Sequence, residues 1–305
     1  MIEEGIELRV EDDRSDPERV AETLSRVAGE CDLLLGPYST QLMRAAGHAM
    51  DELDGLLWNH GGSGDDVQGL CAGRMVSVLA PTSRYAAPFI RARAKDVDRG
   101  PLWVVRGRGR FARQVAAGAV SEAERVGIEV VDKRADEQGA WLEEASVTWD
   151  LFSVGTFEDD VAIVNDASSA PRPPRTICSV AAGVRAFAGE VGDPAGIYGI
   201  AQWFPGRKAL PEIGPSERDF VTTYRRIANA SPDYPAVQAA AAGALALHCA
   251  HVAGSTEPGA LWAAATGLRT TTLYGEFRID GTTGAQLGHV PVLVRWDGGE
   301  PQLVA

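Results

Sequence analysis

The chain has 305 residues, enough for about two domains, and ordinary globular proportions of apolar (45%) and charged (23%) residues, which exclude wholesale disorder. Its net charge of −13 repels phosphate backbones and argues against a nucleic-acid partner. The four cysteines (Cys31, Cys71, Cys178, Cys249) form no CxxC pair, no apolar run approaches the ~20 residues that span a bilayer, and the opening "MIEEGIELRVEDD" is acidic where a secretion signal is basic.

In chain order, short apolar runs alternate with amphipathic ones. "IELRV" (6–10) reads as a strand before the helix "DPERVAETLSRVAGE", which Asp16 caps with Pro17 in its first turn. "CDLLLGP" (31–37) precedes a helix capped by Ser39 or Thr40, and "GLLWNH" (55–60) leads into a Gly-rich turn. "MVSVLAP" is followed by a helix over 81–96. "PLWVV" (101–105) precedes "RFARQVAAGAVSEAERVG", and "IEVVD" (128–132) comes next. Buried apolar runs of four to six residues separated by helices predict parallel strands in open, doubly wound α/β sheets. Ligand sites in such sheets lie beyond the C-terminal strand ends. The segment 135–176 is less regular, and "SSAPRPPR" (168–175) reads as a surface connection. "SERDFVTTYRRIA" and "YPAVQAAAAGALALHCAHVAG" read as helices, the second ended by Gly254. "HVPVLVRW" is a final strand.

Several patterns could carry chemistry. "VVRGRGRFA" holds G-x-G-x-x-A between a strand and a helix, with Asp132 at the end of the next strand. Gly107, Gly109 and Asp132 thus meet the spacing of a dinucleotide fingerprint, the basis of an alternative reading as an NAD(P)-dependent oxidoreductase. Any strand–turn–helix selects small residues at its turn, however, and the motif begins a hundred residues into the chain. "WNHGGSGDD" (58–66) offers backbone N–H groups to a developing charge or to a bound carboxylate or amide, and no G-x-S-x-G elbow accompanies it. His248 and His251 share a helix face without a third zinc ligand at useful spacing, so no metal and no cofactor is assigned. No carboxylate pair stands out as an acid–base couple. The chain reads as a non-enzyme.

The order of segments is itself informative. "GIELRVEDDRSDPERVAETLSRV", "CDLLLGPYSTQLMRAA", "DGLLWNHGGS", "PLWVVRGRGRFARQVAAGAVSEAERVGIEVV", "GDPAGIYGIAQWFPG" and "AGSTEPGALWAAATGLRTTTLYGEFRIDGTTG" together resemble the type I periplasmic binding proteins of the leucine/isoleucine/valine-binding branch. The resemblance implies two Rossmann-like lobes with parallel-sheet cores joined by a multi-crossing hinge. It divides the chain into a first lobe, 1–80 plus 206–275, and a second, 81–205 plus 276–305. It implies a small polar solute (amino-acid-like, amide or carboxylate) held in the interlobe cleft by the substrate-binding component of an ABC transporter, with an ABC permease as partner. No membrane insertion and an extracytoplasmic location follow. Amide-sensing regulators of the same fold give a second alternative: a cytoplasmic sensor with a regulatory protein partner.

Residue by residue, the resemblance places Thr40 at the hydroxyl that grips the ligand's carboxylate or amide, with Ser39 and Tyr38 beside it. Gly61, Gly62 and Ser63 match the next turn, with Asn59 at its strand end. Tyr85 follows the first crossing between lobes, and Phe111 and, less closely, Thr156 or Phe157 close over the ligand from the second lobe. Two departures stand out. The acid that holds an amino acid's ammonium has no counterpart in the apolar "TICSVAAG" (176–183), and Arg106, Arg108 and Arg110 suggest an anion instead. The family's opening strand, Gly/Ser-rich loop and long helix also have no counterpart before "GIELRV". Either the start lies upstream or this is a divergent member with an altered first lobe, and a longer form bearing that strand is the expectation.

Overall fold

The computed structural model describes residues 5–98, 100–135, 140–143, 148–206 and 210–304. Asp16 accepts from the Glu18 N–H at 3.0 Å and starts α1 (Pro17–Val27) as the cap predicts. There follow β1 (Leu34–Leu35), α2 (Thr40–Ala49), β2 (Leu57–Asn59), α3 (Asp65–Gln68) and β3 (Met75–Ser77). The chain then builds α4 (Ala87–Arg93), β4 (Leu102–Arg106), α5 (Gly109–Arg125), β5 (Val130–Arg134), β6 (Asp150–Val154), α6 (Phe157–Ser169), β7 (Thr176–Ser179) and β8 (Tyr198–Ala201). It returns through α7 (Glu217–Ala228), α8 (Tyr234–Ala253), α9 (Pro258–Gly267) and the hairpin β9 (Thr270–Thr272) and β10 (Gly275–Phe277), and ends in β11 (Val292–Asp297) and β12 (Glu300–Leu303).

Two larger sheets result. The first is parallel, β1-β2-β3, with Leu34 opposite Leu57 and Trp58 opposite Val76. The second runs β12-β11-β8-β7-β6-β4-β5, parallel except for β11 and β12. Successive strand residues face opposite sides, so one strand feeds two cores. Leu57 packs with Met43, Met50 and Val67 on the α1–α3 side, while Trp58 packs with Val237, Ala241 and Leu245 of α8. In the second sheet Val104 and Phe152 meet the apolar face of α5, and Trp103 and Leu151 meet Ile163 of α6. The chain passes between the sheets three times, after β3, β8 and β10.

Three expectations are corrected. Residues 6–10 form no strand: no backbone hydrogen bond between described residues outside helices and strands involves them, and Leu8 and Val10 lie exposed. An apolar stretch becomes a strand only beside a partner that offers a ladder. The irregular-looking segment 135–176 contains β6 and α6, a complete strand–helix unit. Finally, α8 is long and apolar enough to cross a membrane by length and composition. Its apolar character goes into packing, since Val237, Ala241, Ala242, Leu245, Ala246 and Cys249 fill the first lobe's core.

Candidate functional site

The strand ends that carry the candidate residues converge. At the end of β1, Ser39 caps α2, its Oγ accepting from the Leu42 N–H at 3.2 Å. Its backbone sits at φ 140, ψ 156, a region almost reserved for glycine. Thr40 Oγ1 accepts from the Gly64 N–H at 3.3 Å, joining this turn to the next. Tyr38 is half exposed. Burial of its hydroxyl raises that group's pKa against a hydrogen bond shared with Tyr234, the first residue of α8.

The second turn is organised by Asn59. Its buried amide donates to the Gly62 carbonyl (2.8 Å) and Ser77 Oγ (2.9 Å), and accepts from the Gly62 (2.8 Å) and Gly61 (3.2 Å) N–H groups. Every polar atom of that side chain is engaged inside the protein, so Asn59 shapes the turn. Gly61 lies against the first turn so closely that an added Cβ would come within 2.5 Å of Tyr38 Cα. The Ser63 carbonyl accepts from the Thr82 N–H at 2.8 Å, and the Ser63 hydroxyl pairs with Tyr85. Burial holds His60 below the ordinary imidazole pKa, against hydrogen bonding with the Gly36 backbone, so it is neutral at pH 7.

The second lobe meets these turns through α5. The Tyr85 ring packs edge-on against Phe111, with centroids 5.8 Å apart and planes at 78°. Gln114 Nε2 donates to Asp66 Oδ1 at 2.5 Å, Thr82 Oγ1 donates to Gln114 Oε1 at 3.2 Å, and Arg110 pairs with Asp66 at 3.0 Å. Arg44 from α2 completes this cluster at 2.9 Å from Asp66. On another side, Arg185 of the second lobe approaches Asp233, the residue before α8, at 3.9 Å. Tyr38, Ser39, Thr40, Asn59, Gly61, Gly62, Ser63, Tyr85 and Phe111 therefore form one connected set. Thr156 caps α6, its Oγ accepting from the Asp159 N–H at 3.1 Å, and no hydrogen bond between described residues joins its hydroxyl to that set. Phe157 packs with Ala181 and Phe187 in a satellite core.

Sequence reasoning missed Asp66, Thr82, Gln114 and Tyr234. Gln114 follows Arg110 by four residues and so shares its helix face, and Tyr234 opens the Ala-rich helix. Those were the available signals.

The nucleotide-like turn is filled from within. Gly109 takes φ 95 at the start of α5. The seat where a helix start would receive a phosphate holds the Asp159 carboxylate, which accepts from the Arg108 N–H at 3.0 Å. Desolvation works against ionisation of Asp159, but the Arg108 and Thr156 N–H groups and the Arg108 charge outweigh it and keep the carboxyl below its ordinary range. Asp132 is paired with Arg106 at 3.1 Å. Asp160 of α6 lies buried beneath the turn after β7, accepting the Ala181 N–H at 2.9 Å. His248 and His251 sit on α8, and among the described residues no group of three metal-ligating side chains forms. Cavities of about 330 Å³ near Cys31 and Pro258 and about 560 Å³ beside Gly196 and Arg295 contain none of the converging residues.

Two α/β lobes, three crossings and facing strand-end turns define a two-lobed binding protein. The family model "Periplasmic binding protein" matches residues 4–300, and the chain belongs to that family. Among solved structures it is similar to an ABC transporter substrate-binding protein from Desulfitobacterium hafniense in complex with Leu. The identity is 15%, 98% of this chain and 88% of the other are covered, and the TM-score is 0.82. It is similar to the leucine-binding protein LivK from Thermotoga maritima (15% identity, 98% and 87% covered, TM-score 0.82). It is similar also to a solute-binding ABC transporter protein from R. palustris in complex with benzoate (15% identity, 96% and 83% covered, TM-score 0.74). No curated protein sequence matches it.

Proposed function

We propose that this chain is the extracytoplasmic receptor of an ABC importer, holding a small carboxylate or amide solute that lacks an α-ammonium group and releasing it unchanged to a permease. The observation that carries this reading is the meeting of Ser39, Thr40, Gly61, Gly62 and Ser63 from the first lobe with Tyr85 and Phe111 from the second. Hydroxyls and turn N–H groups suit a carboxylate, and aromatic rings exclude water above it. Against an amino acid, the turn after β7 carries the apolar Val180, Ala181 and Ala182, and Asp160 beneath it is engaged with the Ala181 N–H. We place the lobe boundaries near those expected, with one shift: Phe277 and Ile279 pack in the first lobe's core, so the last boundary falls after Ile279.

The test is calorimetric titration of the purified chain with leucine, isoleucine, benzoate, short aliphatic acids and their amides, with NAD(H) as control. Micromolar binding of acids or amides, about −8 kcal/mol, and weaker binding of the amino acids is expected. Tightest binding of leucine or isoleucine overturns the exclusion of the ammonium, and binding of NAD(H) alone overturns the receptor reading.

A further inference from the structure

The large apolar side chains of the candidate site are all rings. Tyr38 follows β1, Tyr85 follows the first crossing, Phe111 stands in the first turn of α5 and Tyr234 opens α8, so both lobes contribute. The Tyr85 ring meets Phe111 edge-on, 5.8 Å between centroids and 78° between planes. The Tyr38 and Tyr234 hydroxyls share a hydrogen bond, and Tyr85 lies within electrostatic reach of both. The four rings therefore make one group.

Only part of this ring surface is spent on the cores. Phe111 rests against the second lobe's core and Tyr234 against the first lobe's, yet both are half-buried, and Tyr38 belongs to neither core and is 48% exposed. Tyr85 alone is nearly covered, at 7%. Besides Tyr38, Tyr85 and Phe111, the connected set holds Ser39, Thr40, Asn59, Gly61, Gly62 and Ser63, with no leucine, isoleucine, valine or methionine among them. An aliphatic solute would find no branched or flexible apolar chain in that set to pack against. A ring finds more than contact area. Aromatic faces are negative and aromatic edges positive, so an existing edge-on pair attracts a further ring in offset or edge-on geometry, beyond what burial alone supplies.

We propose that the solute is aromatic: a flat ring that bears the carboxylate or amide and sits against Tyr38, Phe111 and Tyr234, with its polar group at the turns of Ser39–Thr40 and Gly61–Ser63. The proposal rests on the solute-receptor reading above and adds the class of the solute's apolar body. It separates planar rings from branched chains and from puckered rings of the same size.

The experiment measures Kd for pairs that share polar group and carbon count and differ in unsaturation. The pairs are benzoate with cyclohexanecarboxylate, phenylacetate with cyclohexylacetate, and benzamide with cyclohexanecarboxamide. The saturated member of each carries the larger apolar area, so burial alone favours it. The aromatic member is expected to bind at least ~5-fold tighter in one pair or more. Phe111→Leu and Tyr38→Leu keep an apolar side chain and lose the ring, and in each that ratio is expected to fall by about half or more. Binding with a ratio below ~5-fold in every pair overturns the aromatic class and leaves the receptor reading standing. A ratio unchanged in both folded variants also overturns the proposal, since other groups then read the ring. No binding by any of these compounds overturns both readings. The ratios in the unaltered chain decide the proposal even where a variant fails to fold.

Discussion

Arg110 on α5 reaches across the interlobe gap to Asp66 on α3, with 3.0 Å between Nη1 and Oδ2. Gln114, one turn further along α5, donates to the other oxygen of the same carboxylate. A single first-lobe acid is thus held by two residues of the second lobe and by Arg44 of its own.

Arg110 is more than half exposed, so its ion pair contributes at most about 1 kcal/mol. Arg110→Ala is expected to weaken solute binding about two- to five-fold at low salt, with the difference shrinking as salt rises. For Asp66, desolvation works to raise the carboxyl, but Gln114, Arg110 and Arg44 together hold it below its ordinary value of 3.8. A depressed acid stabilises the closed arrangement above its ordinary pKa and ceases to do so as pH falls through the depressed one. Closure, followed by small-angle scattering with ligand present, is therefore expected to be level from pH 8 to 5 and to weaken below about pH 4.

Ser39 separates backbone strain from capping. Its conformation disfavours any side chain by about 1–3 kcal/mol, while its Oγ caps α2. Ser39→Gly relieves the first and loses the second, so its denaturation midpoint is expected to stay near that of the parent chain. Ser39→Ala keeps the strain without the cap and is expected to lose about 1 kcal/mol in urea unfolding.

Gly61→Ala puts a methyl group against the Pro37–Tyr38 backbone, which cannot swing aside as a flexible side chain could. The two first-lobe turns must separate. A loss of about 1–3 kcal/mol in stability and of at least ~10-fold in solute affinity is expected from denaturation and calorimetry.

Asp160 offers the clearest pH signature. Burial pushes its carboxyl up to about 7, against the Ala181 N–H and the Ser179 and Ser153 hydroxyls, which favour the charged form. Between the ordinary value of 3.8 and about 7 the folded chain keeps a proton that the unfolded chain has released. This contribution is complete below the lower value, declines as pH rises to the upper one and is level beyond it. Asp160→Asn removes the dependence and can still accept from Ala181. Its stability relative to the parent is expected to rise by on the order of 2–4 kcal/mol from pH 4 to 7 and then stay constant, as read from urea midpoints.

Much of the fold was legible because local signals agreed with the topology. Asp16-Pro17 opened α1, Ser39 capped α2, and Gly254, left-handed at φ 61, ended α8. Where legibility failed, the deciding partner was distant in sequence. "IELRV" has the composition of a strand, but pairing is not a property of composition, and no backbone ladder between described residues takes these residues in. The unit β6–α6 was obscured because its helix opens with Glu158, Asp159 and Asp160, which look like solvated turn acids. Asp160 is instead wholly enclosed.

The candidate site divides the same way. Glycines, prolines and hydroxyls at strand ends announce turns, so residues 38–40 and 59–63 could be proposed from sequence. Gln114 lies among helical residues whose polarity ordinarily means exposure. Its part in the site arises only when another element meets it, and no spacing rule records that.

Gln286 donates through Nε2 to the Val78 carbonyl (3.0 Å), accepts through Oε1 from the Gly288 N–H (2.8 Å), and its own N–H donates to Gln68 (3.1 Å), which in turn donates to the Leu79 carbonyl (3.0 Å). The first and third strands of polypeptide that join the lobes are thereby laced into one stiff rail. A rotation of the halves about that edge would leave these hydrogen bonds unbroken, the motion of a page on its spine.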